Sequence, residues 1–442
     1  MNSANLTPEN VEQASSLPTA APTARRFRFK PTRRDKYLLI ALAAFGLCAA
    51  ALWRPIQHRW LTWLVLRAES PAQSLVDGLV ASDAHSDAVL NRLWSTEKIP
   101  HRLAVLNYLQ THRSSGSALS AGELSILADA ARGNDLETKD LAFMVLGVRH
   151  QPESRSLALE QLRDVDPAAR ALGLQQLARA GDAQLVPLVI PFLKDSDPRV
   201  VAAAGQALGK WTSNSFGMRL SLALPDFKRD LIPNADTAAL QQSVTRWMDW
   251  WKEHESDFAT SDVKLPRASA SWLLPTSDFS LPDLSSNQVH LSALRGKPVL
   301  LSFWATTATN AYSFLSELAE VQRRNVDRFV ILGISLDGTP LADTESCGDE
   351  DEHSSHSHGE AHAAHAHSGH AHCEVGQFVQ NNGITFPVLQ DTTAKIGHRF
   401  SALELPTNVI LDRDGNVRRR FVGLRSKEVI EAMLAEVESS TR

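Results

Sequence analysis

The stretch that decides the fold of this chain runs from Val299 to Glu320 and reads VLLSFWATTATNAYSFLSELAE. It begins with an apolar run of β-forming residues, Val299–Phe303, and passes through a short polar turn. A helical pattern follows, because apolar residues then recur on one side of the segment. These residues are Phe314, Leu315, Leu318 and Val321. The pattern predicts a buried strand, a turn and a helix whose N-terminus presents unpaired N–H groups and a partial positive charge.

The turn before this helix has the form of a thiol site without sulfur atoms. Thiol–disulfide enzymes place a Cys-x-x-Cys motif at such a helix N-terminus, because the local field lowers the thiol pKa. Here the same four positions are Ala308, Thr309, Asn310 and Ala311. Disulfide exchange requires an attacking thiolate. The sequence therefore predicts no ordinary disulfide exchange at this turn. It leaves open whether the protein is an enzyme, and the missing cysteines argue against one.

The surrounding residues continue an α/β pattern. A short hairpin is predicted before the stretch, and a second buried strand after it. An Asp-Gly dipeptide, Asp414-Gly415, predicts a turn between two later strands. The alternation of strands and helices predicts a mixed α/β sheet. The predicted segments are the hairpin Asp278–Leu291, strand Phe329–Leu336, a helix near Gln377–Asn381, strand Thr385–Leu389, a helix around Ala394–Phe400, strands within Pro406–Val417, and helix Ser426–Val437.

Several motifs occur in an order that resembles the thioredoxin fold. They are Phe279-x-Leu281, Arg295–Val299, Phe303–Thr306, Gly383–Val388, Leu405–Thr407 and Asp412–Gly415. The order is most similar to the redoxin branch of exported, membrane-tethered thiol–disulfide oxidoreductases (TlpA/ResA-like, in the AhpC/TSA superfamily). The resemblance covers residues 275–442. It implies that Pro406 follows a cis peptide bond and faces the turn. Cis X-Pro bonds are uncommon, so a cis bond here would have a structural or functional reason.

The resemblance ends at the chemistry. The family's two cysteines fall on Ala308 and Ala311, and its preceding tryptophan falls on Thr307. The acidic residue that follows the second cysteine falls on Phe314. Two hypotheses remain for the turn: it binds an extended peptide or a small anion through helix N–H groups, or it is kept for folding alone.

A histidine-rich insertion, residues 338–374, replaces the short connection that the family has after its second buried strand. Half of the chain's 16 histidines lie within it. Imidazole is a ligand for Zn, Cu and Ni, and dense histidine tracts bind such ions. The insertion therefore predicts metal binding without selecting the metal, and no organic cofactor is expected. The alternative is a solvated loop with incidental affinity. The predicted ligands are His353, His356, His358, His362, His365, His367, His370 and His372, with Cys347 and Cys373.

Cys347 and Cys373 bracket this tract and allow three interpretations. They form a disulfide, they join the histidines as soft metal ligands, or they are a relocated redox pair. The predicted strands 299–303 and 329–336 are parallel neighbours in the resembled fold. Their carboxyl ends share an edge, where sites form in α/β sheets, so the insertion should leave from the same edge as the empty turn.

The N-terminal region predicts a membrane anchor. Residues 1–36 form a polar tail that ends in seven cations, and residues 37–53 carry no charge. Seventeen residues span roughly 26 Å as a helix, enough for a bilayer core. The preceding cations place the N-terminus in the cytoplasm and the bulk of the chain outside it, in the periplasm of a bacterial inner membrane protein. A cleaved signal peptide is the alternative.

The middle of the chain, residues 54–253, predicts a helical repeat domain, clearest at 130–212. Asp-x-Asp-Pro precedes two helical segments, at Asp164–Pro167 and Asp195–Pro198, with an offset of 31 residues. A further shift places Asp135 under Asp166. Asp before Pro is a helix-start signal, and a period near thirty indicates a solenoid. The pattern resembles HEAT repeats of the phycobilisome-lyase type, which implies a protein partner; a plain helical spacer is the alternative. Residues 254–274 are expected to be a linker.

The amino-acid composition excludes few classes of function. The net charge of −5 gives no basic excess for nucleic acid. The prediction is a multidomain protein with one transmembrane helix, a HEAT-like domain and a thioredoxin-fold domain. Three functions stay open: metal handling with protein interaction in the cell envelope, disulfide chemistry through Cys347 and Cys373, or a non-catalytic scaffold.

Overall fold

The computed structural model describes most of the chain after the N-terminal tail: residues 56–81, 86–112, 118–148, 151–214, 216, 237–258, 265, 274–308, 311–342 and 368–440. Within these residues, no helix has the length and apolarity needed to cross a membrane. The predicted span, residues 37–53, lies outside them. His58–Arg442 is one compact unit, in which the helical part and the sheet are in contact.

The helical part is built from short helices packed around a core made mostly of leucine, valine and alanine side chains. The helices are α1 (56–67), α2 (Gln73–Ala81), α3 (Ser86–Trp94), α4 (Ile99–His112), α5 (Ala121–Arg132), α6 (Leu136–Val148), α7 (Glu153–Gln161), α8 (Pro167–Ala180), α9 (Val186–Val189), α10 (Pro198–Thr212) and α11 (Thr237–His254).

The predicted repeat is confirmed by the helix starts. Helices α6, α8 and α10 each begin directly after an aspartate. The carboxylate of Asp166 accepts a hydrogen bond from the backbone N–H of Ala168 at 2.9 Å, and Asp197 accepts one from Arg199 at 2.9 Å. Asp135 accepts from the N–H of Glu137 at 3.0 Å. Each aspartate therefore satisfies one of the N–H groups that a helix start leaves unpaired.

An ion pair repeats with the same period. Lys139 on α6 binds Asp164 at the entry to α8, with 2.8 Å between Nζ and Oδ2. Arg170 on α8 binds Asp195 at the entry to α10, with 2.8 Å between Nη2 and Oδ1. The first aspartate of each Asp-x-Asp-Pro motif thus joins successive repeats, while the second caps its own helix.

The carboxyl-terminal part is a six-stranded mixed sheet with the strand order β1-β8-β7-β4-β5-β6, beside a separate hairpin, β2–β3. Helices α12 and α15 pack together. Phe378 of α13 contacts Trp304 of β4, with 5.4 Å between ring centroids. The elements are β1 (Leu274–Pro275), β2 (Ser280–Pro282), β3 (Gln288–His290), β4 (Val299–Trp304), α12 (Ala311–Arg324), β5 (Val330–Ser335), α13 (Ser368–Asn381), β6 (Val388–Gln390), α14 (Lys395–Arg399), β7 (Thr407–Leu411), β8 (Asn416–Val422) and α15 (Lys427–Ser440).

Most of the predicted order is found in the sheet. β4 and β5 are parallel neighbours, and β7 and β8 form a hairpin. At the turn of that hairpin, Gly415 has a φ of 82°, a left-handed conformation that glycine adopts without steric penalty. Two bounds differ from the prediction. β6 begins at Val388, three residues after the predicted start, and α13 begins at Ser368, inside the predicted insertion.

Buried ion pairs join the sheet to the helical repeats. The Arg425 guanidinium, 1% exposed, donates to both carboxylate oxygens of Asp166, at 2.9 Å and 3.2 Å. Arg419 Nη1 lies 3.0 Å from Asp164 Oδ1. Arg420 Nη1 lies 3.2 Å from Asp135 Oδ1. The aspartates that organise the repeats therefore also hold the sheet.

Electrostatics favours the charged aspartate in two of these three pairs, whereas burial outweighs Arg420 and raises the pKa of Asp135. Burial alone would raise the pKa of Asp164, but Lys139 and Arg419 outweigh burial and hold that pKa below its ordinary value. The same balance applies to Asp166, whose pKa Arg425 lowers against the effect of burial. Backbone pairing continues the contact, since the N–H of Arg420 donates to the carbonyl oxygen of Asn134 at 3.1 Å.

Candidate functional site

The turn between β4 and α12 is compact and mostly buried. The N–H of Ala308 donates to Ala305 O at 3.1 Å, and the N–H of Ala311 donates to Ala308 O at 3.1 Å. Ala308 is 7% exposed and Ala311 is 4% exposed. Thr309 and Asn310 lie outside the described residues. The two positions that the resemblance assigns to cysteines are therefore brought together around one turn, as small apolar side chains.

A hydroxyl–carboxylate cluster borders this turn. Thr306 donates to Asp337 Oδ1 through its N–H, at 2.9 Å, and through its hydroxyl, at 2.5 Å. Ser335, the last residue of β5, donates from its hydroxyl to Asp337 Oδ2 at 2.7 Å. Asp337 thus binds the turn after β4 to the end of the neighbouring strand.

A second contact reaches the beginning of the predicted insertion. The hydroxyl of Thr307 donates to the carbonyl oxygen of Ala342 at 3.3 Å. Thr307 is exposed, whereas Ala342 is 5% exposed. The turn is therefore in direct contact with the segment from which residues 343–367 depart, as the sheet topology predicted.

Pro406 borders the same turn. The Leu405–Pro406 peptide bond is cis, which confirms the prediction. Thr407 pairs with Phe303 in the β4–β7 ladder, so Pro406 lies beside the end of β4. Its carbonyl oxygen accepts from the N–H of Gly423 at 2.8 Å. The proline is thereby fixed against β8 and lies beside the strand end from which the turn departs.

The position that the family gives to an acidic residue is part of the core. Phe314 of α12 is 1% exposed. One turn further along the helix, Glu317 is half-buried, and burial followed by repulsion from Glu428 raises the pKa of its carboxyl. Glu317 is a titratable group that the sequence analysis did not single out, although its place on α12 follows from the helical spacing.

The predicted metal ligands lie almost entirely outside the described residues. Residues 343–367, which contain Cys347 and six of the eight predicted histidine ligands, are not described. His370, His372 and Cys373 fall within α13, whose backbone is helical there, but the side chains of its first residues are not described. Among the residues with described side chains, no cluster of three or more histidine, cysteine, aspartate or glutamate side chains is arranged to hold a metal ion.

Asp337 and Thr306 are the site residues that sequence reasoning missed. Each lies two residues after the end of a buried strand, Thr306 after β4 and Asp337 after β5. Parallel neighbours end at the same edge of a sheet, so their next polar residues should meet. The prediction of adjacent strands was enough to find this pair.

A separate cleft of about 290 Å³ lies between the helical part and the sheet. Two of its cationic side chains, Lys98 and Arg399, are already bound within the protein. Lys98 donates to the carbonyl oxygens of Leu66 and Ala68 at 3.1 Å and 3.2 Å. Arg399 donates to Ser277 O at 3.2 Å. The cleft does not include the turn or Pro406.

Comparisons with known proteins agree with both parts of this architecture. Residues 274–420 match the AhpC/TSA family, and residues 155–221 match HEAT repeats. The thiol-disulfide oxidoreductase ResA of Bacillus thuringiensis (strain Al Hakam) is 25% identical over 161 residues, which cover 36% of this chain and 75% of ResA. Thioredoxin-like protein YneN of Bacillus subtilis is 24% identical over 157 residues, with the same shares of each chain.

Solved structures include similar chains as well. The exposed lipoprotein thioredoxin Etrx1 of Streptococcus pneumoniae strain TIGR4 is 21% identical, covers 36% of this chain and 99% of its own, and has a TM-score of 0.28. StoA of Bacillus subtilis is 13% identical, covers 35% of this chain and 95% of its own, and has a TM-score of 0.26.

The carboxyl-terminal domain is an AhpC/TSA (redoxin) domain with a thioredoxin-like fold. It is similar to ResA and to other thioredoxin-like proteins, and it is preceded by HEAT repeats at residues 155–221.

Proposed function

We propose that this chain is a membrane-anchored redoxin-fold protein whose turn serves as a binding surface for metal handling and protein interaction rather than for disulfide exchange. One observation carries the proposal. Thr306 and Thr307 bond the turn to Asp337 and Ala342, the residues that lead into the histidine-rich insertion. A metal carried by that insertion would therefore be held next to the turn.

The residues at the turn support a role other than thiol exchange. Alanines stand at both positions that the resemblance gives to cysteines, and an attacking thiolate is indispensable for exchange. The turn offers instead the exposed Thr307, the start of α12 and the edge beside Pro406. These groups suit an extended peptide segment, which gains main-chain hydrogen bonds at such an edge.

The insertion supports the metal part of the proposal. Its eight histidines bind Zn(II), Cu or Ni(II) in their neutral form, with Cys347 and Cys373 as soft ligands. Because imidazole protonates near pH 6.5, the affinity should fall as the pH drops below about 6. The pH dependence of the metal affinity distinguishes histidine ligands from carboxylate ligands, because carboxylates stay ionised at pH 5.

The proposed location is the outer face of a bacterial inner membrane. Residues 37–53 supply the anchor, and the cations before them favour a cytoplasmic N-terminus. The redoxin domain would then face the periplasm, where a Cys347–Cys373 disulfide can persist.

The test uses the full chain in detergent or nanodiscs. Zn(II), Cu(I) and Ni(II) are titrated against the wild type and against a variant with all eight histidines of residues 353–372 changed to alanine. A matched control changes four histidines outside the tract, His112, His254, His290 and His398. Loss of micromolar affinity in the first variant alone supports the proposal; binding that is weaker than about millimolar in the wild type would sink it.

A rival function, disulfide chemistry through Cys347 and Cys373, is favoured by the activity named for ResA. It predicts insulin reduction by the reduced full chain that disappears in Cys347→Ser or Cys373→Ser variants and survives the histidine changes. That result would replace the metal-handling proposal. Absence of both metal affinity and insulin reduction would leave the third hypothesis, a scaffold.

A further inference from the structure

Helix α1 carries an exposed aromatic and cationic face that the proposed function does not use. Trp60 is 58% exposed and Trp63 is 54% exposed. Among the described residues, large apolar side chains are seldom so exposed, and most tryptophans lie in the two cores or against them. An indole prefers a place where its apolar ring is covered and its N–H stays hydrated.

Arginines surround these indoles. Beside Trp63 lies an open groove of about 560 Å³, whose described lining includes Arg59, Arg67, Arg92 and His58 and no carboxylate. The Arg67 guanidinium lies over the Trp63 ring, 5.2 Å from its centroid. The three arginines are exposed, and none is in an ion pair with a described residue. Among the described residues, the three arginines therefore form a concentrated positive surface.

The position of this face in the chain limits what can cover it. The charge-free segment 37–53 ends at Trp53, seven residues before Trp60. Seven residues span at most about 25 Å when fully extended. If the segment crosses a bilayer, the face is tethered within that distance of the headgroup layer. Tryptophan is enriched in this layer, and arginine binds the phosphates of anionic lipids.

We infer that Trp60 and Trp63, with Arg59, Arg67 and Arg92, form a contact surface for the phosphate headgroups of an anionic phospholipid bilayer. The indoles enter the interfacial layer, and the arginines bind phosphate oxygens in the groove. The contact would lay α1 along the membrane and thereby fix how the helical repeats and the redoxin domain are presented. This inference rests on the proposed anchoring of the chain.

The test is hydroxyl-radical footprinting of the full chain in nanodiscs, with oxidation read at single residues by mass spectrometry. The discs contain phosphatidylcholine alone or with about 30% phosphatidylglycerol. In the anionic discs, wild-type Trp60 and Trp63 should oxidise at least about fivefold more slowly than in the variant Arg59→Gln/Arg67→Gln/Arg92→Gln. Half-molar salt should reduce the difference, because exposed charges are screened. Tyr312, which is 57% exposed on α12, is the internal reference and should not change.

Two further variants keep the test specific. The charge-preserving variant Arg59→Lys/Arg67→Lys/Arg92→Lys should retain protection of the indoles. Arg163→Gln/Arg246→Gln/Arg323→Gln removes the same charge from exposed positions elsewhere and should behave as the wild type. Thermal melts of all variants establish that the fold is retained.

Three results would overturn the inference. The indoles remain as reactive as Tyr312 in every disc; their protection is the same with and without anionic lipid; or their protection rises with protein concentration together with a dimer, which would assign the face to a second copy of the chain. Failure of the anchor is seen separately, as extraction of the chain from membranes by alkaline carbonate.

Discussion

The redoxin domain has two surfaces of opposite character: the turn between β4 and α12, and the edge of β8 that contacts the helical repeats. At the turn, two alanines and two threonines are held by a few local hydrogen bonds. At the β8 edge, Arg419, Arg420 and the nearby Arg425 are buried against aspartates of the repeats. A buried charge requires its partner, so the second surface tolerates little change, whereas the first leaves room for a different function.

The largest expected effect is at the β8 edge. Arg425→Met leaves the carboxylate of Asp166 buried without its partner, which should lower the free energy of unfolding by about 3–5 kcal/mol. Urea unfolding of the full chain measures it. The double variant Asp166→Ser/Arg425→Met removes both charges and keeps a residue that caps α8, so most of the stability should return. An equal loss in both variants would contradict the ion-pair explanation.

The second prediction concerns acid sensitivity, which should arise in the helical part rather than at the turn. Burial lowers the pKa of His101 from 6.5 to about 4, although a hydrogen bond to Val65 O opposes the shift. The unfolded chain therefore binds a proton first as the pH falls. The contribution of neutral His101 to the free energy of unfolding is complete above pH 6.5 and is lost as the pH falls towards 4. The free energy of unfolding should therefore decrease by about 2 kcal/mol between pH 7 and pH 5.

Urea unfolding at pH 7, 6 and 5 checks this sign. His101→Gln can still donate to Val65 O but does not titrate, so its stability should depend much less on pH in this window. His398→Gln, an exposed change on α14, is the control and should behave as the wild type. The interface carboxylates Asp164 and Asp166 remain ionised there, because their pKa values lie below the ordinary 3.8. An unchanged slope in His101→Gln would refute the assignment.

The third prediction returns to the turn. Asp337→Ala removes the acceptor for Thr306 and Ser335 and should cost about 1 kcal/mol, since the site is only partly buried. Hydrogen exchange of the Thr306 amide should rise markedly. Asp327→Ala, at an exposed position after α12, provides the comparison and should leave that amide unchanged. A decrease in the free energy of unfolding as large as that of Arg425→Met would contradict the difference between the turn and the β8 edge.

The smallest effect on stability is expected from Ala308→Cys/Ala311→Cys. Each change adds one atom at a small buried site and should cost below about 1 kcal/mol. If the missing sulfurs are what prevents disulfide exchange at this turn, the variant should form a disulfide and reduce insulin. Ala308→Ser/Ala311→Ser is the control of similar size. Continued inactivity of a variant that forms the disulfide would place the limitation in another feature, such as Phe314.

The sequence was sufficient where a local rule operates. Asp166 before Pro167 predicted the start of α8, and the carboxylate indeed caps that helix. The cis bond at Pro406, by contrast, was implied by the resemblance to the redoxin branch. At the start of α8, the residues that determine the structure are near one another in the chain.

The ion pairs with β8 were not predicted, because charged residues are expected at the surface and Arg425 and Asp166 are 259 residues apart. One signal was present in the strand itself. Successive side chains of a strand point to opposite faces, yet β8 contains Arg418, Arg419 and Arg420 in sequence. Such a run cannot place all its charges on one wet face of a sheet. The partners, however, are known only once the repeats are folded.

The hydrogen bond between Arg420 N–H and Asn134 O has a consequence for what can be cut from this protein. A sheet edge with unpaired N–H and C=O groups is a template for pairing with other chains. Here residues 134–135 close the part of the β8 edge that the short strand β1 leaves open. A redoxin domain expressed without the repeats would expose that edge together with its arginines, and we expect it to self-associate or to recruit acidic peptide strands in vitro. The repeats thus cover the exposed edge of β8. Binding studies on the isolated domain would therefore measure association through this edge, which is covered in the whole chain.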